Sequence, residues 1–333
     1  MPTFGASIRS ASPETLSMPM PKDAPHLTRG DDRDELIATV ALLRAEVLSP
    51  TKLSALLEDV GSAVDLLPIS KANLGWEARP LLLDAVGEEH VAKARQEVVE
   101  WEAAGLDART LLHQTYPTSL QGIFDKPPLL FVSGAWDEQL DSRAVAVVGT
   151  RTSTPEGCRR AYRLAHSLAE AGVTVISGLA RGIDTCAHQG ALRAGGRTVA
   201  VMGTGITKRY PKENAPLADA IVESGGALIS QFFPAQPPTK WTFPVRNVTM
   251  SGLTLATIVV EAGATSGAKM QAEAALTHGR AVFLPSSLVA AHPWARAMIE
   301  KGFRGAHAIE ISSPEQVTEL LDFSSLTLPS LSA

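Results

Sequence analysis

The stretch VTVISGLARGIDTCAHQGALRAGGRTVAVMGTG, residues 173–205, decides the fold. Val173–Ile176 is a short apolar run ending at Ser177-Gly178, and Thr198–Met202 is a second, ending at Gly203-Thr204-Gly205. The segment from about Asp184 to Ala194 between them suits a helix. Continuous apolar strands separated by a helix imply parallel neighbours covered on both faces. The same grammar extends outward in both directions. Upstream, Ala144–Val148 is an apolar strand followed by Gly149-Thr150-Arg151 and a helix over 155–171, and Leu129–Val132 is a shorter strand. Downstream come a helix over 214–224, strands at Ala227–Ser230 and Ala256–Val260, a helix near 267–278 and a strand at Ala281–Leu284. The reading is an α/β protein with a doubly wound, mainly parallel sheet.

The N-terminal third has a different texture. Residues 1–30 carry Pro2, Pro13, Pro19, Pro21 and Pro25 among many Ser and Thr without an apolar period, which predicts a disordered leader. Leu36, Ile37, Val40, Leu43 and Val47 recur at helical spacing, and Leu53, Leu56, Leu57 and Val60 make a second stripe. Pro50 fits the first turn of that second helix and Gly61 its C-terminal end. Val91, Ala94, Val98 and Trp101 form a third stripe. The expected organisation is a leader at 1–30, a small helical domain at 31–105, the α/β domain at 106–323 and a tail at 324–333. Tyr116-Pro117 and Lys126-Pro127-Pro128 punctuate the lead-in to the α/β domain.

Charge is unevenly spread. The chain of 333 residues has a formal net charge of -5, which argues against a uniformly basic nucleic-acid binder. Residues 145–310, however, hold 17 Lys/Arg against 10 Asp/Glu, whereas residues 1–144 hold 13 against 22. A basic segment inside an acidic chain fits a phosphate-rich partner. Cys158 and Cys186 are too few for a disulfide framework or a cysteine zinc site, and read as small buried side chains in a reducing cytosol. No apolar run reaches the roughly 18 residues of a membrane helix, and no secretory signal opens the chain, so a cytoplasmic location is expected.

In a doubly wound sheet, ligands bind beyond the carboxyl ends of the strands. This sequence places glycine and polar residues there repeatedly: Gly149-Thr150-Arg151, Ser177-Gly178 through Arg181-Gly182, Gly203, and Ser266-Gly267 after the strand that ends near Glu261. Glycines admit a phosphate to the backbone, and arginines add charge-assisted contacts. Lys240-Trp241-Thr242-Phe243-Pro244-Val245-Arg246-Asn247 reads as a loop before a helix, with aromatics interleaved between bases. Two readings of it stand side by side. In one, the aromatics stack on unpaired bases while Arg246 holds phosphate. In the other, Trp241 and Phe243 plug the sheet edge and Arg246 pairs with Glu261. Asn214 reads as the cap of the helix that follows it. Asp184 and His188 share a helical face, which fits local packing better than an acid–base pair. There is no G-x-G-x-x-G, P-loop or G-x-S-x-G motif, and the histidines form no close metal-ligand pair. No catalytic constellation, metal or cofactor is expected.

The segments AVAVVGTR (144–151), VISGLARGIDTCAHQGAL (175–192), GGRTVAVMGTGITKRYPKENAPL (195–217), FPVRN (243–247), IVVEAGATSGA (258–268) and GRAVFLP (279–285) resemble the DprA/Smf family of bacterial DNA-processing proteins. Order and spacing match, and the likeness extends over about 36–321. The resemblance implies an extended Rossmann-like domain preceded by a sterile-alpha-motif-like helical domain. It also implies binding of single-stranded DNA in a basic pocket, homodimerisation and loading of a RecA-type recombinase. By motif match, Arg151, Arg181 and Arg246 supply the positive charge, and Gly149, Ser177, Gly178, Gly182 and Gly203 shape the floor. The sequence departs from the family at Thr150 for Ser and Arg181 for Lys, which keep the chemistry, and at Val248, where the usual second arginine is lost. Lys269 stands nearby. Gln231 replaces a common glutamate and Ser286 a common glycine, and nothing here corresponds to the winged helix that many members add. The expected interface is Gly149, Thr150, Arg151, Ser177, Gly178, Arg181, Gly182, Gly203, Lys240, Phe243, Arg246, Asn247, Ser266, Gly267 and Lys269. The alternative is a nucleotide sensor or nucleotide-hydrolysing enzyme that uses the same pocket, with Glu261 or Asp184 as a lone acid–base group.

Overall fold

A computed structural model describes residues 30–67 and 85–321. Residues 1–29 of the expected leader and the expected 324–333 tail lie outside the described residues. The strands are β1 (Asp107–Thr110), β2 (Leu129–Gly134), β3 (Ala144–Gly149), β4 (Thr174–Ser177), β5 (Thr198–Val201), β6 (Ala227–Ser230), β7 (Ala256–Glu261), β8 (Ala281–Pro285) and β9 (Ile309–Ile311). They form one sheet in the order β1-β2-β6-β5-β4-β3-β7-β8-β9. From β6 to β9 every pairing is parallel, while β1–β2 and β2–β6 are antiparallel. The mainly parallel, doubly wound sheet is as the apolar runs predicted. The edge strands β1 and β9 are new, since Asp-Ala-Arg-Thr and a three-residue run carry little apolar signal.

Two cores cover the two faces. Val145, Val147, Ile258 and Val260 face the helices Pro155–Glu170 and Ile183–Arg193. Ala146, Val148, Ile176, Val199 and Val259 face the other core, which is continuous with the N-terminal helices Gly30–Arg44, Pro50–Val60 and Glu88–Ala103. Trp101 meets Phe131 of β2 edge-on at 4.9 Å, so helical region and sheet share one apolar mass. Local signals set the helix ends. Ser49 accepts from the Lys52 backbone N–H at 3.4 Å, Pro50 opens the helix, and Gly61 closes it at φ 77°.

Two expectations need correction. Cys158 and Cys186 are joined in a disulfide, with 5.5 Å between their Cα atoms. The helices that carry them lie side by side, and Gly190 comes so close to the Tyr162 backbone that a Cβ there would collide with the Tyr162 carbonyl. Sequence spacing could not show that positions 158 and 186 would face each other. The second correction concerns 240–247. Thr242–Gly252 is a helix, not a loop. Pro244 sits in its first turn, where the missing N–H costs nothing. Thr239 and Thr242 cap the start reciprocally, each backbone N–H donating to the other's hydroxyl, at 3.2 and 3.3 Å respectively.

Candidate nucleic-acid interface

The strand order reverses between β3 and β7, and the carboxyl ends of these two strands open onto a cavity of about 720 Å³. This is the switch point at which doubly wound folds bind ligands. Gly149, Thr150 and Arg151 enter it from β3, Lys240, Phe243, Arg246 and Asn247 from the 240–252 segment, and Ser266 and Gly267 from the helix after β7. A smaller adjoining cavity of about 140 Å³ takes in Gly178, Arg181 and Gly203 and shares Arg151 and Phe243. Twelve of the fifteen expected residues therefore converge, although they come from positions 149 to 267.

Ser177, Gly182 and Lys269 line neither cavity. The Ser177 hydroxyl donates to the Val147 carbonyl at 2.6 Å and ties β4 to β3. Gly182 holds φ 72°, and a Cβ there would strike the Thr150 carbonyl. Lys269 lies 3.6 Å from Glu273, one turn along its helix.

The charges fall into two environments. Arg151 is exposed, its guanidinium 4.5 Å above the Phe243 ring. Lys240 is exposed in the wall of the same cavity. Arg181 is also exposed, but Glu213 is paired with it. Arg246 is different. It is only 6% exposed, and one of its terminal nitrogens donates to the Val201 carbonyl at 2.7 Å. Burial holds this guanidinium below its ordinary pKa, opposed by the Asp184 charge. Its Nε has no hydrogen-bond partner among the described residues. Gly178 is required for this placement, because a Cβ would overlap the guanidinium. Gly203 likewise leaves room for the Phe243 ring. These glycines admit protein side chains to the floor rather than a phosphate to the backbone.

Neither acid of the enzyme alternative is free. Asp184 is the one carboxylate among the described lining residues of the large cavity. It accepts from the backbone N–H groups of Gly178 at 3.1 Å and Ala180 at 3.3 Å, and so folds the 178–184 loop. Burial raises its pKa, and the Arg246 charge opposes the shift. Glu261 accepts from the Thr154 backbone N–H and hydroxyl, at 3.2 and 2.9 Å, so it holds a helix start rather than Arg246. His188 points away from Asp184 to Thr198, whose hydroxyl is 2.8 Å from its Nδ1. Burial lowers the His188 pKa to about 3. Asn214 does not cap its helix through its side chain; its amide donates to the Leu179 carbonyl and the Thr185 hydroxyl, each at 2.9 Å.

A Ser–His–Asp alignment occurs elsewhere, and it is structural. His278 lies 2.6 Å from the Ser251 hydroxyl and 2.8 Å from Asp125. Ser251 is fully buried and donates to Val248 of its own helix at 3.0 Å. The cavity beside it is lined by His278 and Asp125 but not by Ser251. The cluster ties Asp125 to the helices Thr242–Gly252 and Gly267–Thr277.

Sequence reasoning missed Tyr210, which lines both cavities with its ring 6.0 Å from Phe243. It also missed Met270 on the helix after β7. The available signal for Tyr210 was an aromatic beside two basic residues, Lys208 and Arg209.

Fold and cavity define a Rossmann-like protein with a basic, aromatic-lined site at the switch point. Residues 107–321 match the profile of the DNA recombination-mediator protein A family, and the chain belongs to that family. It is 40% identical over 218 residues to protein Smf of Escherichia coli, covering 64% of this chain and 56% of that one. It is also 40% identical over 181 residues to DNA processing protein DprA of Streptococcus pneumoniae, covering 54% and 63%. The chain thus spans little more than half to under two thirds of the length of these two relatives. The solved structure of DprA from Streptococcus pneumoniae superposes with a TM-score of 0.65 at 29% identity, covering 84% of this chain and 95% of that one. DNA processing protein A of Helicobacter pylori, described for its unique single-stranded DNA binding mode, superposes with a TM-score of 0.56 at 25% identity, covering 65% and 95%. Among the described residues no helix is long and apolar enough to cross a membrane.

Proposed function

We propose that this chain binds single-stranded DNA in the switch-point cavity and acts as a recombination mediator that shields the strand and passes it to a RecA-type recombinase. One observation carries the reading: Arg151 lies over Phe243 at the mouth of a cavity whose only described carboxylate is buried against the backbone. A cation stacked on an aromatic ring offers a phosphate contact and a base-stacking face together, which suits an unpaired strand. Lys240 adds charge, and Ser266 and Gly267, where the helix after β7 begins, line the same space. The family membership and the single-stranded DNA binding described for the Helicobacter pylori relative support the reading. In this reading the α/β domain, 106–323, carries the strand and mediates a homodimer, the helical region, 31–105, faces protein, and the protein works in the cytoplasm without a cofactor.

The test is fluorescence anisotropy of a labelled oligo-dT against the matching duplex across a salt series. The expected result is preference for the single strand, with affinity falling as salt rises. Equal affinity for duplex, or no binding of either at low salt, would reject the proposal.

A further inference from the structure

The segment after β6 carries two adjacent phenylalanines that reach in different directions. Phe232 is buried and packs edge-on against Trp241, with ring centroids 5.6 Å apart. Trp241 is 55% exposed and directly follows Lys240, a residue of the cavity wall. Phe233 goes the other way, into the N-terminal helices. The Arg44 guanidinium lies 3.6 Å from its ring centroid, and the Trp101 ring lies 6.0 Å away. Arg44 is itself fixed by a two-pronged ion pair with Glu97 at 3.0 and 2.8 Å. The backbone here is rigid as well. Gly205 donates to Gln236 at 2.9 Å and Thr207 to Pro234 at 3.2 Å, so residues 233–236 are laced to the loop after β5.

We infer that Trp241 is a base-stacking platform for the single strand, and that the helical region sets its position through Phe233 and Phe232. This rests on the function proposed above. An exposed indole propped on edge by a buried ring, beside a lysine at the mouth of a basic cavity, presents a flat face to an unpaired base at little entropic cost. Phe233 and Arg44 are then positioning residues: they touch no DNA, but they hold the piece of chain that does. The helical region is thereby coupled to the site, and a protein seated on those helices would be felt by the strand.

The experiment is a double-mutant cycle on the full chain, read by anisotropy with a labelled oligo-dT at fixed low salt. Trp241→Ala should weaken binding about 5- to 100-fold, the range of one lost base stack. Phe233→Ala should weaken it by less, and the double variant should be no weaker than Trp241→Ala alone. Phe233→Tyr keeps the ring and should restore the affinity. If Phe233→Ala fails to fold, as judged by circular dichroism, Arg44→Gln replaces it in the same cycle. A merely structural role for Phe233 would lower the melting temperature while its binding loss multiplied with that of Trp241→Ala, and this would overturn the coupling. Parent-like affinity of Trp241→Ala would overturn the platform. Absence of oligo-dT binding by the parent would instead reject the proposed function, and the inference with it.

Discussion

The floor and the rim of the cavity use the same residue type for opposite purposes. Arg246 in the floor is buried, donates to a strand-end carbonyl and sits in the field of Asp184. Arg151 and Arg181 on the rim are exposed. A buried charge in low dielectric is coupled strongly to its neighbours, so its removal disturbs the fold. An exposed charge is screened and weakly coupled, so its removal is felt mainly by a ligand. The backing of the floor follows the same rule: His188 and the Cys158–Cys186 link lie in the helices behind it, away from either cavity.

The difference between floor and rim is greatest at Arg246. Arg246→Ala leaves Asp184 buried without its opposing charge and empties the space that Gly178 reserves. It should cost about 3 kcal/mol in urea unfolding and abolish DNA binding. A fully stable variant would show that the floor is not structural. Next in size is the disulfide. Cys158 and Cys186 are 28 residues apart in sequence, and losing the link should cost about 2–4 kcal/mol. Thermal melts with and without reductant, alongside Cys158→Ser, would measure it, with the rim's affinity for DNA little changed.

The pH response sharpens the floor further. Folded His188 stays neutral down to about 3, whereas the unfolded side chain takes up its proton near its ordinary value of 6.5. Acid therefore favours the unfolded state. Stability is complete above about 6.5 and is lost as pH falls toward 3. Between pH 7.5 and pH 5 the parent should lose about 2 kcal/mol more than His188→Gln in urea titrations. Asp184, raised by burial, has the opposite sign and cancels between parent and variant. Equal slopes would mean that His188 is not kept neutral.

The smallest effects on stability belong to the rim. Arg151→Ala should change stability by less than about 0.5 kcal/mol, yet weaken oligo-dT binding about tenfold and flatten the salt slope by about 0.7. Arg181→Ala should weaken binding less than about threefold, because Glu213 already neutralises it. Glu213→Gln should strengthen binding instead. Equal losses for the two arginines in one titration would show that the Glu213 pair opens on binding.

Much of this site was legible in the sequence because strand ends are. Apolar runs fix where parallel strands stop, and a doubly wound sheet turns those stops into one crevice, so Gly149-Thr150-Arg151 and Ser266-Gly267 could be assigned to a common place. The 240–247 segment was less legible. Pro244 reads equally well as loop punctuation or as a first-turn residue, and only the reciprocal Thr239–Thr242 cap decides for the helix. Ser177 and Gly182 were placed at the right strand end but line neither cavity: the Ser177 hydroxyl bonds to β3, and Gly182 packs against the Thr150 carbonyl.

Strand and helix alternation, the parallel sheet, the basic character of residues 145–310 and the cluster of strand ends at the cavity all follow from the order of residues alone. These are local or additive properties: hydrophobic period, glycine spacing and charge count. Only the tertiary structure decided which arginine is buried and which is free, that Cys158 meets Cys186, that Gly178 and Gly203 make room for side chains, and that Phe233 leans on Arg44 and Trp101. Each of these depends on which surfaces meet when distant segments pack, and a side chain's charge, reactivity or strength of coupling follows from the dielectric and the neighbours that packing supplies.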